Sequence, residues 1–134
     1  MRVLIILFLL VTDNLLAQKD LRVDFKKDKS FFWREDGYLK YKGKLFSGQI
    51  FEIFRNNNTK YIETYFNGKL EGKHEGFYKN GTKKFSHSHS NGLENGYFEY
   101  FHKNGNLSQK GTTINGITKE IETFRRNGLK KNNP

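Results

Sequence analysis

The fold of this chain is indicated by the stretch EGFYKNG, residues 75–81, because closely similar stretches recur along the sequence. The other three are EIFRNNN (52–58), EYFHKNG (99–105) and ETFRRNG (122–128). All four share the pattern Glu-x-Phe-x-x-Asn-Gly, with Asn58 in place of the glycine in the first, and they lie 23, 24 and 23 residues apart. Such a regular period indicates stacked copies of one supersecondary unit.

The shared pattern predicts a strand that enters a tight hairpin. Glutamate and phenylalanine two residues apart lie on the same face of a strand. Asn-Gly suits the two central positions of a type I′ turn, where both residues have positive φ. The pattern therefore defines these structural positions: Glu52, Phe54, Glu75, Phe77, Asn80, Gly81, Glu99, Phe101, Asn104, Gly105, Glu122, Phe124, Asn127 and Gly128.

A second series of Asn-Gly pairs alternates with the first, at Asn67-Gly68, Asn91-Gly92 and Asn115-Gly116. We expect longer connections here, over 67–72, 91–96 and 115–120. The two series predict strands over 38–42, 49–55, 60–66, 73–79, 84–90, 97–103, 107–114 and 119–126. The predicted fold is all-β, an elongated single-layer antiparallel meander of about four stacked β-hairpins. An uninterrupted sheet tolerates few prolines, and this chain has one, Pro134.

The N-terminus is typical of an export signal. Arg2 is followed by nine apolar residues, 3–11, and by the small residue Ala17 at a plausible cleavage point. Nine residues are too few to cross a membrane, which takes about 20. We therefore predict a signal peptide over 1–17 and a mature chain in the periplasm or outside the cell.

The rest of the chain divides into three parts. Residues 18–37 are a charged and then aromatic lead-in, in which Phe31, Phe32 and Trp33 either cap the first hairpin or form an adhesive spot. The repeat domain covers 38–131, and 132–134 form a tail. Within the domain we place the four units at about 38–60, 61–84, 85–109 and 110–131.

Four stretches of this domain resemble MORN repeats, in the variant form found in bacterial proteins. They are YKGKLFSG (41–48), FNGKLEGKHEGFYKNG (66–81), NGLENGYFEYFHKNG (91–105) and NGITKEIETFRRNG (115–128), the last without the second glycine. The resemblance covers about residues 38–131. It implies an elongated single-layer sheet that serves in protein contacts, membrane-associated scaffolding or oligomerisation. Some bacterial relatives are described as antitoxins, and no catalytic residues are implied.

The charge balance favours anionic partners. The chain has 24 lysines and arginines against 14 acidic residues, a net charge of +10. The electrostatic field of a protein with this positive net charge attracts lipid headgroups, acidic polysaccharide, nucleic acid or acidic proteins. We do not expect nucleic acid, because an exported protein rarely meets it. There is no cysteine, so disulfides and cysteine-based zinc sites are excluded.

We find no catalytic, cofactor or metal site in this sequence. His87 and His89 share a strand face that His74 or His102 could approach, which is conceivable as a metal site, but a surface strand is the preferred interpretation. We expect the four recurring glutamates to pair with lysine or arginine on neighbouring strands. We expect the four recurring phenylalanines to form a structural row that could also dock a partner.

These observations predict a non-enzymatic, exported repeat protein. It would bind a protein partner or an anionic envelope surface, lipid or polysaccharide, through one face of its sheet. The alternative is an antitoxin-like protein of a toxin–antitoxin system. Strand 119–126 is expected to be an open edge, which is also a route to a homo-oligomer.

Overall fold

The structure, a computed structural model, describes residues 21–131 and consists mainly of β-strands in two sheets. The predicted signal peptide and tail lie outside the described residues. The strands are β1 (Arg22–Asp24), β2 (Phe32–Glu35), β3 (Tyr38–Tyr41), β4 (Lys44–Leu45), β5 (Gly48–Ile53), β6 (Thr59–Phe66), β7 (Lys69–Phe77), β8 (Lys83–Ser90), β9 (Leu93–Phe101), β10 (Leu107–Ile114) and β11 (Ile117–Thr123). A short helix α1 (Phe25–Asp28) and a 3₁₀ turn (Lys29–Phe31) join β1 to β2.

The larger sheet has eight strands and confirms the predicted antiparallel meander. Its order is β1-β5-β6-β7-β8-β9-β10-β11, so from β5 onwards each strand pairs with the next in sequence. β1 is the exception, since it pairs in parallel with β5, with Val23 opposite Ile50. Residues 22–24 thereby cover the edge of β5. The fold is all-β and elongated, as predicted, and the sheet does not close.

The type I′ turns occur in the second Asn-Gly series, where we expected long connections. Both residues have positive φ at Asn67-Gly68 (46° and 79°), Asn91-Gly92 (53° and 85°) and Asn115-Gly116 (50° and 79°). The expectation was wrong, because these turns take two residues and the next strand begins at once. β7, β9 and β11 accordingly start at residues 69, 93 and 117 rather than at 73, 97 and 119.

The turns of the first series have a different geometry, so the type I′ prediction was wrong for them. At Tyr78–Thr82, Gly81 has φ of 87° while Asn80 does not have positive φ. The Gly81 N–H donates to the Tyr78 carbonyl (2.9 Å) and the Tyr78 N–H to the Thr82 carbonyl (2.8 Å). This is a three-residue hairpin loop, a type I turn followed by a left-handed residue.

The first copy of this turn is shifted by one residue relative to our prediction. Asn57, with φ of 64°, occupies the left-handed position that Gly81 occupies in the next copy, so Asn58 does not replace the glycine. The Asn57 N–H donates to the Phe54 carbonyl at 3.0 Å. Phe54 is therefore equivalent to Tyr78 rather than to Phe77.

A further set of hydrogen bonds joins each turn of the second Asn-Gly series to a carbonyl 22 residues earlier in the chain. The glycine N–H of the turn donates to a backbone carbonyl in each case. The pairs are Gly68 to Phe46 (2.7 Å), Gly92 to Leu70 (2.9 Å) and Gly116 to Glu94 (2.8 Å). Donors and acceptors each recur every 24 residues, so adjacent units are attached in the same way.

The hydrophobic core lies at the N-terminal end of the molecule. The smaller sheet, in the order β2-β3-β4, supplies Leu39, and Phe46 follows directly after it. These side chains meet Ile50 and Tyr65 of the larger sheet, and Phe46 and Ile50 are only 1% and 2% exposed. The single layer that we predicted therefore gains a small second layer at this end.

Beyond this core, aromatic rings cover the sheet by lying over glycines. A Cβ atom on Gly76 would be 2.3 Å from the ring of Phe85, and one on Gly111 would be 2.6 Å from the ring of Phe98. Phe98 is consequently buried, although among residues 21–131 the second sheet lies at the other end of the molecule. These rings supply the apolar packing of the C-terminal half of the sheet.

Candidate anion-binding edge

The two long edges of the meander differ strongly in charge. The turns of the first series lie in the segments 54–60, 78–84, 102–106 and 124–131, which we call the basic edge. These segments hold ten lysines and arginines and no aspartate or glutamate. The opposite edge, formed by 66–72, 90–96 and 114–120, holds two lysines and three glutamates. The excess positive charge of the sheet is therefore concentrated along one edge.

One basic residue recurs at the same place in every turn of the basic edge. It directly precedes the asparagine of the turn, and the four are Arg55, Lys79, Lys103 and Arg126. All four are exposed, and none of them forms an ion pair within residues 21–131. Successive turns on this edge are two strands apart, about 10 Å. The edge therefore presents a regular row of cations without counter-ions.

The turn asparagines fix the backbone that carries these cations. In each case the side-chain amide donates to the carbonyl of the basic residue in the next turn. The bonds run from Asn56 to Lys79 (2.8 Å), from Asn80 to Lys103 (3.2 Å) and from Asn104 to Arg126 (3.0 Å). The same asparagines accept the N–H two residues later, as Asn80 does from Thr82 (3.2 Å). The row of turns is thereby held in a fixed spacing.

A second side chain in each turn reinforces this connection. The position after the left-handed residue also donates to the same carbonyl. The donors are Asn58 to Lys79 (3.0 Å), Thr82 to Lys103 (3.3 Å) and Asn106 to Arg126 (2.7 Å). An open cleft of about 420 Å³ is lined by Asn80, Lys103, Asn104 and Arg126. Cations and amides therefore line the same cleft.

The recurring glutamates are paired on the strands, away from the exposed cations. Glu52 contacts Lys60 (2.9 Å), Glu75 contacts Lys83 (2.6 Å), and Glu122 lies between Lys110 (3.6 Å) and Lys130 (3.4 Å). The predicted pairing is thus present for these three. Glu99 has no ion pair within the described part of the chain, so the prediction was wrong there.

The recurring phenylalanines lie at the base of the basic edge. Phe54, Phe77, Phe101 and Phe124 are half-buried, at or just beyond the ends of strands. The ring–ring contacts of residues 21–131 do not include them, so these four rings do not touch one another. The ring contacts involve other residues, such as Phe85 with Tyr100 (6.3 Å) and Phe98 with Tyr100 (6.1 Å).

Three histidines, His74, His87 and His89, form a cluster on one sheet face. His74 lies 3.4 Å from Glu63, and His87 lies 2.8 Å from Glu94. Burial lowers the pKa of His74 and of His89, against the opposing influence of these carboxylates. Among residues 21–131 no three histidines or carboxylates are arranged to hold a metal ion. His102 is separate, at the basic edge, beside the carbonyl of Phe124 (3.2 Å).

Another cavity, of about 320 Å³, lies between the two sheets. It is lined by Phe25, Phe32, Trp33, Arg34, Leu39, Ile50, Tyr61, Glu63 and Tyr65. Its polar groups already bind one another, because Arg34 donates to the Tyr65 hydroxyl (3.2 Å), which donates to Glu63 (2.9 Å). Phe32 packs on Phe46, whereas Phe31 and Trp33 remain 45% and 43% exposed. The unpaired cations make the basic edge the stronger candidate site.

Sequence reasoning missed the row of cations, although its signal was present. A basic residue stands before the asparagine in FRN, YKN, HKN and RRN.

Comparisons with protein-family models, curated proteins and solved structures give no match for this chain. Across residues 21–131, the helices are too short or too polar to span a bilayer.

Proposed function

We propose that this chain is an exported, non-enzymatic, MORN-like repeat protein that binds an anionic envelope surface through its basic edge. The observation that carries the proposal is the row Arg55, Lys79, Lys103 and Arg126, exposed and without counter-ions in the described residues. A line of unpaired cations on a rigid support creates a positive potential that attracts anionic partners. Export rests on the sequence of residues 1–17 and would bring the edge to the envelope.

An edge suits this function better than the sheet face that we expected from the sequence. On the faces, lysines contact glutamates, and burial lowers the pKa of His74 and of His89. Of the four recurring glutamates, Glu52, Glu75 and Glu122 are engaged by lysines other than the turn cations. The cations of the turns are therefore available to a partner without breaking an internal ion pair.

The proposal is tested by removing the row of charges. A variant with Arg55, Lys79, Lys103 and Arg126 all changed to glutamine is compared with a control in which Lys29, Lys44, Lys73 and Lys119 are changed to glutamine. The control residues are also exposed and without ion pairs in the described residues, so both variants lose the same net charge. Binding to isolated envelopes, anionic vesicles and an acidic polysaccharide is measured at increasing salt.

We expect the edge variant alone to lose binding. A basic residue near an anionic surface contributes about 1 kcal/mol, so the four together contribute about 4 kcal/mol, on the order of a thousandfold in affinity at low salt. Equal losses of affinity in both variants would show that binding does not depend on the basic edge. If the unaltered protein bound none of these materials, the proposed function would be wrong. Export is tested by measuring the intact mass of the protein in cell fractions of the native host. We expect a chain that starts at Gln18 in the periplasmic or extracellular fraction.

A further inference from the structure

The four turns of the basic edge leave three intervals between them, which we call clefts, and the one lined by Lys103 and Arg126 is an open cavity. Each has one exposed cation on either side. The pairs are Arg55 and Lys79, Lys79 and Lys103, and Lys103 and Arg126. Because strands of a sheet lie about 4.8 Å apart, the clefts recur about every 10 Å along a straight edge. A linear partner laid along this edge would meet the same set of groups three times.

A side-chain amide crosses each of the three clefts. The amides of Asn56, Asn80 and Asn104 each donate to a carbonyl of the next turn. A side-chain amide has two N–H donors, so one remains for a partner. The cleft at Asn80 and Asn104 measures about 420 Å³, within the usual range of ligand pockets, about 300–1,000 Å³. Amide donors and a pocket suit hydroxyl and carboxylate groups better than they suit a flat headgroup surface.

The spacing of the cations also distinguishes between polyanions. Nucleic acid carries a charge about every 3.4 Å along each strand, which is much denser than the recurring row of turn cations, with one about every 10 Å. An extended polysaccharide with one uronate in each disaccharide has a sparser charge that is closer to the cleft spacing. Its neutral sugars would present hydroxyl groups to the asparagines between the charges.

Resting on the proposed function, we infer that the partner of the basic edge is a linear acidic polysaccharide with alternating charged and neutral sugars. Its carboxylates bind Arg55, Lys79, Lys103 and Arg126, and its hydroxyl groups bind the asparagine amides of the three clefts. Successive subsites act on one chain, so the affinity rises with chain length as each cleft is filled, about tenfold per cleft. Beyond the length that fills three clefts, the affinity rises little.

The test uses uronate oligosaccharides of defined length and vesicles that contain anionic lipid, both measured with the full chain. A double variant, Asn80→Ala with Asn104→Ala, removes cleft amides without changing charge. Asn127→Ala is the matched control, because Asn127 accepts the N–H of Leu129 (3.2 Å) as the other turn asparagines do, but its amide donates to no further turn among the described residues. Thermal unfolding of each variant shows whether it is folded under the binding conditions.

We expect the double variant to lose about tenfold in affinity for the long oligosaccharide and to bind vesicles unchanged, while Asn127→Ala binds both as the unaltered protein does. Affinity that is independent of length, or equal loss in Asn127→Ala, would overturn the inference. Strong binding to vesicles alone would do so as well, and it would leave the proposed function standing. Failure to bind either material would overturn both.

Discussion

Asparagine has two different functions in the turns of this sheet. In the type I′ turns, Asn115 itself adopts φ of 50°, and its side chain makes no hydrogen bond within the described residues. In the basic-edge turns, Asn80 leaves the left-handed conformation to Gly81 and uses both side-chain groups, accepting from Thr82 and donating to Lys103. The same dipeptide therefore serves backbone geometry at Asn115 and attachment between turns at Asn80, while Asn91 combines positive φ with a hydrogen bond from Lys69 (2.9 Å).

Glycine substitutions separate these two functions. We expect Asn115→Gly to change the free energy of unfolding by no more than a few tenths of a kcal/mol, because glycine adopts positive φ without strain. We expect Asn80→Gly to lower it by about 1–2 kcal/mol, because the amide bonds to Thr82 and Lys103 are lost. Urea unfolding measures both values. Equal effects would contradict the division of functions.

The limit of sequence reasoning at this scale is that Asn-Gly fits both turn types. The spacing of the pairs predicted hairpins at the observed places. What distinguishes the two geometries is where the pair lies in its loop. At Asn91-Gly92 the strand residues Ser90 and Leu93 flank the pair directly, whereas at Asn80-Gly81 the additional residue Lys79 lies within the loop. That difference is visible in the sequence once both turn geometries are known.

At the scale of elements, strands β7, β8 and β9 together form the histidine cluster. His74 on β7 is opposite His87 on β8, and His89 is opposite Glu94 on β9. The buried Nε2 atom of His87 and Nδ1 atom of His89 have no hydrogen-bond partner in the described residues. The rings therefore act mainly as packing groups, in contact with Phe85.

This cluster predicts that stability falls as the pH is lowered. Burial lowers the pKa of His74 and His89 in the folded protein below their ordinary value of about 6.5. Below that value the unfolded chain binds more protons than the folded chain, so the free energy of unfolding decreases as the pH falls. Three titratable groups face these two histidines. The carboxylates of Glu63 and Glu94 raise the histidine pKa values and so oppose the effect of burial, whereas His87 lowers them further.

The measurement is the urea midpoint of unfolding at about pH 5 and about pH 7.5, on either side of the ordinary histidine pKa. We expect a lower midpoint at the acidic pH, and a smaller difference in His89→Gln, which cannot titrate. Phe85→Leu serves as a control that disturbs the same packing without removing a titrating group. A midpoint that rises on acidification would show that the pairs with Glu63 and Glu94 dominate instead.

The sequence predicted most strands but not the core between the two sheets. Periodic turns are local signals, whereas Leu39, Phe46, Ile50 and Tyr65 come together only through contacts between distant segments. The parallel pairing of β1 with β5 is non-local for the same reason. The row of cations was overlooked because its residues become neighbours only when the meander places every second turn on one edge.

At the scale of the whole molecule, packing is distributed unequally along the sheet. The N-terminal end holds the core, with Ile50 and Tyr65 only 2% and 3% exposed. At the other end, Ile117 and Ile121 of β11 are 62% and 51% exposed. Among the described strands β11 pairs with β10 alone. Elements with few buried contacts open at lower free energy than core elements.

We therefore predict a gradient of amide hydrogen exchange along the sheet. Amides of β5 and β6 should exchange most slowly and those of β11 fastest among the strands, because local opening there exposes little additional apolar surface. Exchange followed by mass spectrometry or NMR measures the order. Uniform protection from β5 to β11 would contradict the prediction and would indicate that the sheet unfolds as one cooperative unit.

The identical attachment of successive units has a consequence for how such a gene can change. The bonds from Gly92 to Leu70 and from Gly116 to Glu94 join the same positions 24 residues apart. An in-frame loss of residues 81–104 would join Asn80 to Gly105 and recreate one basic-edge turn, and an in-frame duplication would add one. Both changes leave the N-terminal core untouched. Recombination between copies could therefore alter the length of the binding edge in single steps, without the evolution of a new fold.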